Sequence, residues 1–405
     1  MSKRDISILR ELAKSVSEIA SKDIQNERRE LWRGQNSFER VCPPVYIFGG
    51  YEEEIIRPIL ECTDPFYKEF EMGLRARILQ DTFDDDTIIE PWITMTATHV
   101  LPEDGAWGVD YTTDRLAGSM ALHINAALES FNDMKKMIIP THRIDEKQTA
   151  ENFEKINDAV GDILEVYVKR SPYWEHWAGD ISTHLGNLRG HEQMLYDMVE
   201  SPDELHELLT FMSNGVLKAH EEAEKAGDWT LADHNNQSMT YSRTLSDPKP
   251  NVVANRDELW GYFAAQEFAV VSPAMHDEFL LQYQLPIMEK FGLISYGCCE
   301  DLSRKIEILR KIKNLRRFAI TPFADVKMCA EQIGTEYVCS YRPHPNLLQG
   351  EYSEDDIEKV LKNSMELFRQ NKCYVDICMK DITTVGGDPS RLKRFVEIAR
   401  KVTGA

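Results

Sequence analysis

GLISYGCCEDLSRKIEILRKIKNLRRFAITPFADVKMCAEQIGTEYVCSYR, residues 292–342, holds three short apolar runs, LISY, RRFAIT and YVCSYR, separated by stretches with helical spacing of apolar residues. The runs are rich in Ile, Phe, Val and Tyr and read as strands. Repeated strand–helix units imply a mainly parallel sheet, closed or open. Towards the C-terminus the pattern continues with YVDICM (374–379), and towards the N-terminus with WTLADHNN (229–236). Residues 149–171 read as a helix, and 191–227 as two more, broken near Ser201-Pro202. VCPPVYIF (41–48) reads as a first core strand that stops at Gly49-Gly50, and 83–98 holds strand-like pieces after an acidic turn. Residues 6–32 carry a helical pattern. No Gly-x-Gly-x-x-Gly loop follows a strand, so a (β/α)8 TIM-type barrel fits better than an open sheet. The expected organisation is a helical extension over 1–40 and a barrel over 41–405.

Composition removes several classes of function. A formal charge of −21 disfavours contact with a phosphate backbone, so no nucleic-acid partner is expected. No apolar run approaches the length that spans a bilayer. The opening MSKRDISILRELAKS lacks the apolar core of a signal peptide, and the expected location is cytoplasmic. The eight cysteines, at 42, 62, 298, 299, 329, 339, 373 and 378, are too scattered for a disulfide scaffold.

In a barrel the carboxyl ends of the strands carry the chemistry. That rule selects Asp233-His234-Asn235-Asn236, Cys298-Cys299-Glu300, Asp325 after Pro322-Phe323-Ala324, Arg342-Pro343-His344, and Cys378 with Lys380 and Asp381. The adjacent Cys298 and Cys299 admit three readings: buried packing thiols, a redox pair, or soft-metal ligands. Thiolates from Cys298, Cys299 and Cys378 suit zinc, whose catalytic sites use three protein ligands and one open position. Strand alternation puts Tyr296 and Cys298 on one face and Cys299 on the other. Glu267, between aromatic segments, suits a metal ligand or substrate anchor, or equally a solvated rim. His234 and Asn235 suit hydrogen bonds to a polar substrate, or ordinary turn chemistry. SPYWEHWAGD (171–180) offers Trp174 and Trp177 as an aromatic substrate wall, or as core packing.

From about residue 170 to its end, the chain resembles the uroporphyrinogen decarboxylase superfamily, and more closely its zinc-dependent branch of methyltransferases that serve corrinoid proteins. The resemblance is carried by LRGHEQMLYDMVESPDELHELL (188–209), by YGCCED followed by 304–348, and by YVDICMKDITTVGGDPSRLKRFVEIA (374–399). It implies a (β/α)8 barrel with a zinc site built from a His-x-Cys strand and a later cysteine. Cys298 matches the first cysteine and Cys378 the second. Tyr296 stands at the histidine position, so Glu267 or Cys299 is implied as the replacement ligand. The decarboxylases carry an arginine pair after the first strand, where this chain reads VYIFGGYEEE, and glutamates there repel a polycarboxylate.

The resemblance therefore implies methyl transfer between a small methylated substrate, such as a methoxylated aromatic, and the corrinoid (cobalamin) of a partner protein, with zinc activating the substrate. Glu267 and Asp325 are the expected catalytic carboxylates. Trp174, Trp177, His234, Asn235, Tyr296 and His344 are the expected substrate-binding residues. The alternative is a metal-free lyase acting on a small acid through Asp325, Asp233 and Arg342.

Overall fold

The computed structural model describes residues 3–115, 122–173 and 179–404. Its strands are β1 (Val45–Phe48), β2 (Trp92–Thr96), β3 (Thr112–Arg115), β4 (Leu122–Asn125), β5 (Glu165–Lys169), β6 (Trp260–Phe263), β7 (Leu293–Tyr296), β8 (Leu315–Ile320), β9 (Val338–Tyr341) and β10 (Tyr374–Lys380). Six form one parallel sheet, ordered β1-β10-β9-β8-β7-β6, and β2 pairs in parallel with β5. β3 and β4 form a separate antiparallel hairpin. The larger sheet curls as a half-barrel. The eight parallel strands are the number a TIM-type barrel requires, but the ladder is not closed among the described residues.

Two seams interrupt the ladder, the first met by side chains and the second by an irregular segment. On the edge of β1 away from β10, Val45 N–H donates to Asp86 Oδ2 at 2.7 Å and Ile47 N–H to Asp85 Oδ2 at 2.8 Å. Two carboxylates thus satisfy backbone donors that a neighbouring strand would otherwise take. Between β5 and β6 lies 230–237. Its Asp233 accepts from the Tyr167 hydroxyl of β5, and its Asn235 N–H donates to Trp260 O of β6. WTLADHNN is therefore an irregular filler with an isolated bridge, Thr230 to Val253, rather than the expected strand. Besides the β3–β4 hairpin, two strands of the parallel ladders escape the periodicity. The helix expected over 149–171 ends at Val160 and gives way to β5, and WGYF at 260–263 is β6. Both are short β-rich runs, for which helix and strand patterns overlap.

The N-terminal pattern resolves into helices Lys3–Ala20 and Ile24–Asn36. The first buries Leu9, Ala13 and Val16 against a cluster that includes Tyr67, Leu74, Ile93 and Val166. The second closes the interior at the amino ends of the strands. There Arg317 of β8 donates to Asp376 Oδ2 of β10 at 2.8 Å and to Asn36 Oδ1 at 2.7 Å, and Ser340 of β9 donates to Asp376 Oδ1 at 3.1 Å. Period-two alternation carries the same interior face upward from Asp376 to Cys378 and Lys380. The break at Ser201-Pro202 is as expected: helix His191–Glu200 stops, and Pro202–Ala226 begins with Pro202 in its first turn, where a missing N–H costs nothing. No helix among the described residues is long and apolar enough to cross a membrane.

Candidate functional site

β7 ends at Tyr296, and Gly297 turns the chain with φ +104. A Cβ there would lie 2.7 Å from Leu302 Cδ1 and 3.0 Å from Ala319 Cβ, so both the angle and the space favour glycine. This turn brings Cys298 and Cys299 to the same side. With Phe323, Arg342, His344 and Lys380 they line a cavity of about 150 Å³ at the carboxyl ends of β7–β10. The Glu300 carboxylate fixes the turn, accepting from Cys298 N–H and from Ala265 N–H, each at 2.8 Å.

Cys298 Sγ lies 3.3 Å from Lys380 Nζ, 3.5 Å from Cys299 Sγ and 3.9 Å from Gln237 Nε2. The Arg342 guanidinium donates to the Cys298 carbonyl. The hydrogen bond from Cys299, then the charges of Lys380 and Arg342, hold the Cys298 thiol below its ordinary range against the opposing effect of burial. The Cys299 thiol is pushed up, first by that same hydrogen bond and then by burial. Asp381 Oδ2, 3.6 Å from Cys299 Sγ, adds to the rise.

Several expected residues are elsewhere. Tyr296 points behind the sheet, its hydroxyl donating to Gln284 Oε1 at 2.8 Å and lying 3.0 Å from His276 Nε2. Gly297 breaks the alternation that would have placed Tyr296 beside Cys298. Tyr296→Phe therefore removes a buried structural hydrogen bond. It should cost about 1–3 kcal/mol in a urea titration and leave the chemistry of Cys298 unchanged.

Cys378 is fully buried with Trp32, Tyr46, Ile88 and Tyr241, and does not line the cavity. His234 Nδ1 accepts from Trp260 N–H, at the start of β6 rather than its carboxyl end, and burial lowers its pKa to about 4. Asn235 N–H pairs with the same residue's carbonyl. Asp325 caps the helix Val326–Ile333, accepting from Met328 N–H at 2.9 Å.

Glu267 follows β6 and packs with His191 against Gly186, away from the cavity; its Oε2 is buried without a hydrogen-bond partner among the described residues. Burial, then the charge of Glu267, push the carboxyl of nearby Asp180 far up. His344 does line the cavity, exposed, with Nδ1 accepting from Asn346 N–H. Trp174 and Trp177 lie outside the described residues. Lys380 was selected only as a strand-end residue. Gln237 gave no signal, because a left-handed residue at φ +54 in a seam has no period to read.

The implied zinc does not fit these residues. A zinc ligand needs its sulfur lone pair facing the metal and other donors converging on the same point. Here the Cys298 sulfur faces the Lys380 ammonium, and Cys378 interacts with the Tyr46 hydroxyl in a separate cluster. Among the described residues no three His, Cys, Asp or Glu side chains form a group able to hold a metal ion.

No family model matches the chain, and no curated protein does. Among solved structures it is similar to a methyltransferase from Methanosarcina mazei, at TM-score 0.53 and 11% identity, over 92% of this chain and 98% of that one. At that identity the likeness is one of fold.

Proposed function

We propose that the chain is a methyltransferase that moves a methyl group between a small methylated compound and a corrinoid protein. For a methoxylated aromatic this is O-demethylation. The carrying observation is the cavity at the strand ends, where a buried sulfur and two fixed cations, Lys380 and Arg342, meet in a space sized for a small group. The sequence resemblance and the methyltransferase name of the structural neighbour support the same reading. The half-barrel with its separate β2–β5 pair is read as a (β/α)8 barrel opened at two seams.

The corrinoid, carried by the partner, would supply the cobalt that exchanges the methyl group. This chain's residues would bind and polarise the small compound. A heteroatom that loses a methyl group gains negative charge, and the ammonium of Lys380 and the guanidinium of Arg342 are positioned to stabilise it without reorganising. The lyase alternative also uses Arg342, but its two carboxylates are committed, Asp233 to Tyr167 and Thr230, and Asp325 to a helix end.

The test is turnover. Purified protein, reduced corrinoid protein and a panel of methylated aromatics, amines and thiols should give methylcobalamin, followed by absorbance. Lys380→Met should lower the rate by about 10²-fold or more, the usual effect of removing one charge-stabilising donor. Release of CO2 from small acids, with no methyl transfer to cobalt from any panel member, would favour the lyase.

A further inference from the structure

The sulfur that the resemblance assigns to a metal has counter-charges of its own. Lys380 Nζ is 3.3 Å from Cys298 Sγ and 3.8 Å from Cys299 Sγ, so the ammonium is nearer the first. Lys380 also lies 3.4 Å from Asp381 Oδ2, and Arg342 reaches the Cys298 carbonyl. The Cys299 sulfur, beside the Asp381 carboxylate, is opposed as a thiolate by the same charge that it can serve as a donor. Two chemically identical neighbours are thereby differentiated. Cys298 is only 1% exposed, yet it borders the cavity, so a small molecule there meets sulfur and cations together.

We propose that Cys298 is a nucleophilic thiolate, charge-balanced by Lys380 and Arg342 in place of a metal, that accepts a small alkyl group such as methyl from an anionic electrophile drawn into this cavity. A sulfur lone pair forms the S–C bond, the bond from that carbon to the leaving atom breaks, and the leaving group departs with the electron pair. The thiolate becomes a thioether and its negative charge passes to the leaving group, which departs one unit more negative than it was within the electrophile, with no proton, oxidant or reductant required. This deepens the methyl-transfer reading by naming an acceptor atom, but its test needs no corrinoid.

Iodoacetate and iodoacetamide carry the same reactive carbon and differ in charge. An unassisted thiolate prefers the neutral reagent. At Cys298 the order should reverse, with carboxymethylation by iodoacetate, read by peptide mass spectrometry, about tenfold faster than carbamidomethylation, the low end of what a charged cleft does for an opposite charge. Lys380→Met should lose most of that preference and Lys380→Arg keep it, in proteins shown to be folded by circular dichroism. Cys299 should label more slowly than Cys298 with either reagent.

The proposal is overturned if one equivalent of zinc chloride protects Cys298 in the wild type, if Cys299 labels first, or if wild-type Cys298 prefers iodoacetamide. It is also overturned if folded Lys380→Met keeps the wild-type preference. Reversed preference without any methyl transfer to cobalt would remove the methyltransferase reading and leave the thiolate. Methyl transfer with zinc protection would do the opposite.

Discussion

Asp376→Ala should lower the stability of the chain by about 3–5 kcal/mol, seen as a fall in the urea midpoint, because it strands the buried charge of Arg317. Both side chains have no solvent exposure, and they meet at 2.8 Å. Asp376 also accepts from Ser340, and Arg317 reaches Asn36 at the end of the second helix, so the pair joins β8, β9, β10 and that helix. Two buried charges in contact largely offset their own desolvation, whereas a single one does not. A paired apolar replacement, Arg317→Met with Asp376→Leu, should therefore recover most of the loss. If Asp376→Ala alone were as stable as wild type, the interior plug would have no part in holding the half-barrel.

What could be read from the sequence follows the physics of periodicity. β7 to β10 were legible because each is a β-branched or aromatic run bounded by turn residues and followed by helical or charged material. The strand-end rule selects Cys298, Arg342, His344 and Lys380, and all four line the cavity. It failed where strand regularity fails. Tyr296 and Cys298 were assigned one face by alternation, but Gly297 at φ +104 rotates the chain between them. Asp233 and His234 looked like strand-end chemistry, yet they fill a seam whose existence depends on β5 and β6 not pairing. Cys378 has the right strand and the right face, but it lies one interior layer below Lys380, a depth that spacing along the chain does not encode. Asp325 was a cap in a sequence where capping and catalysis use the same residue type.

Glu300→Ala should be the second large loss. Glu300 is 2% exposed, and its two oxygens serve two different elements: Oε1 accepts from Ala265 N–H just beyond β6, and Oε2 from Cys298 N–H just beyond β7. Its backbone carbonyl takes the Thr321 hydroxyl after β8, so three strand ends are tied at one residue. Truncation leaves two buried N–H donors without partners, at about 1–3 kcal/mol for each. Glu300→Gln separates the two contributions. An amide can accept at one oxygen only and presents an NH2 to the other donor, so it should lose at least one contact and fall between alanine and wild type.

Because Glu300 acts on Cys298 through the backbone alone, it is a positioning residue, and labelling distinguishes that role from simple destabilisation. In folded Glu300→Gln, alkylation of Cys298 should slow with both reagents as the sulfur shifts, while the preference for iodoacetate persists because Lys380 and Arg342 remain. An unchanged rate with both reagents would mean that the turn at Gly297 places the sulfur by itself, with Glu300 contributing stability only.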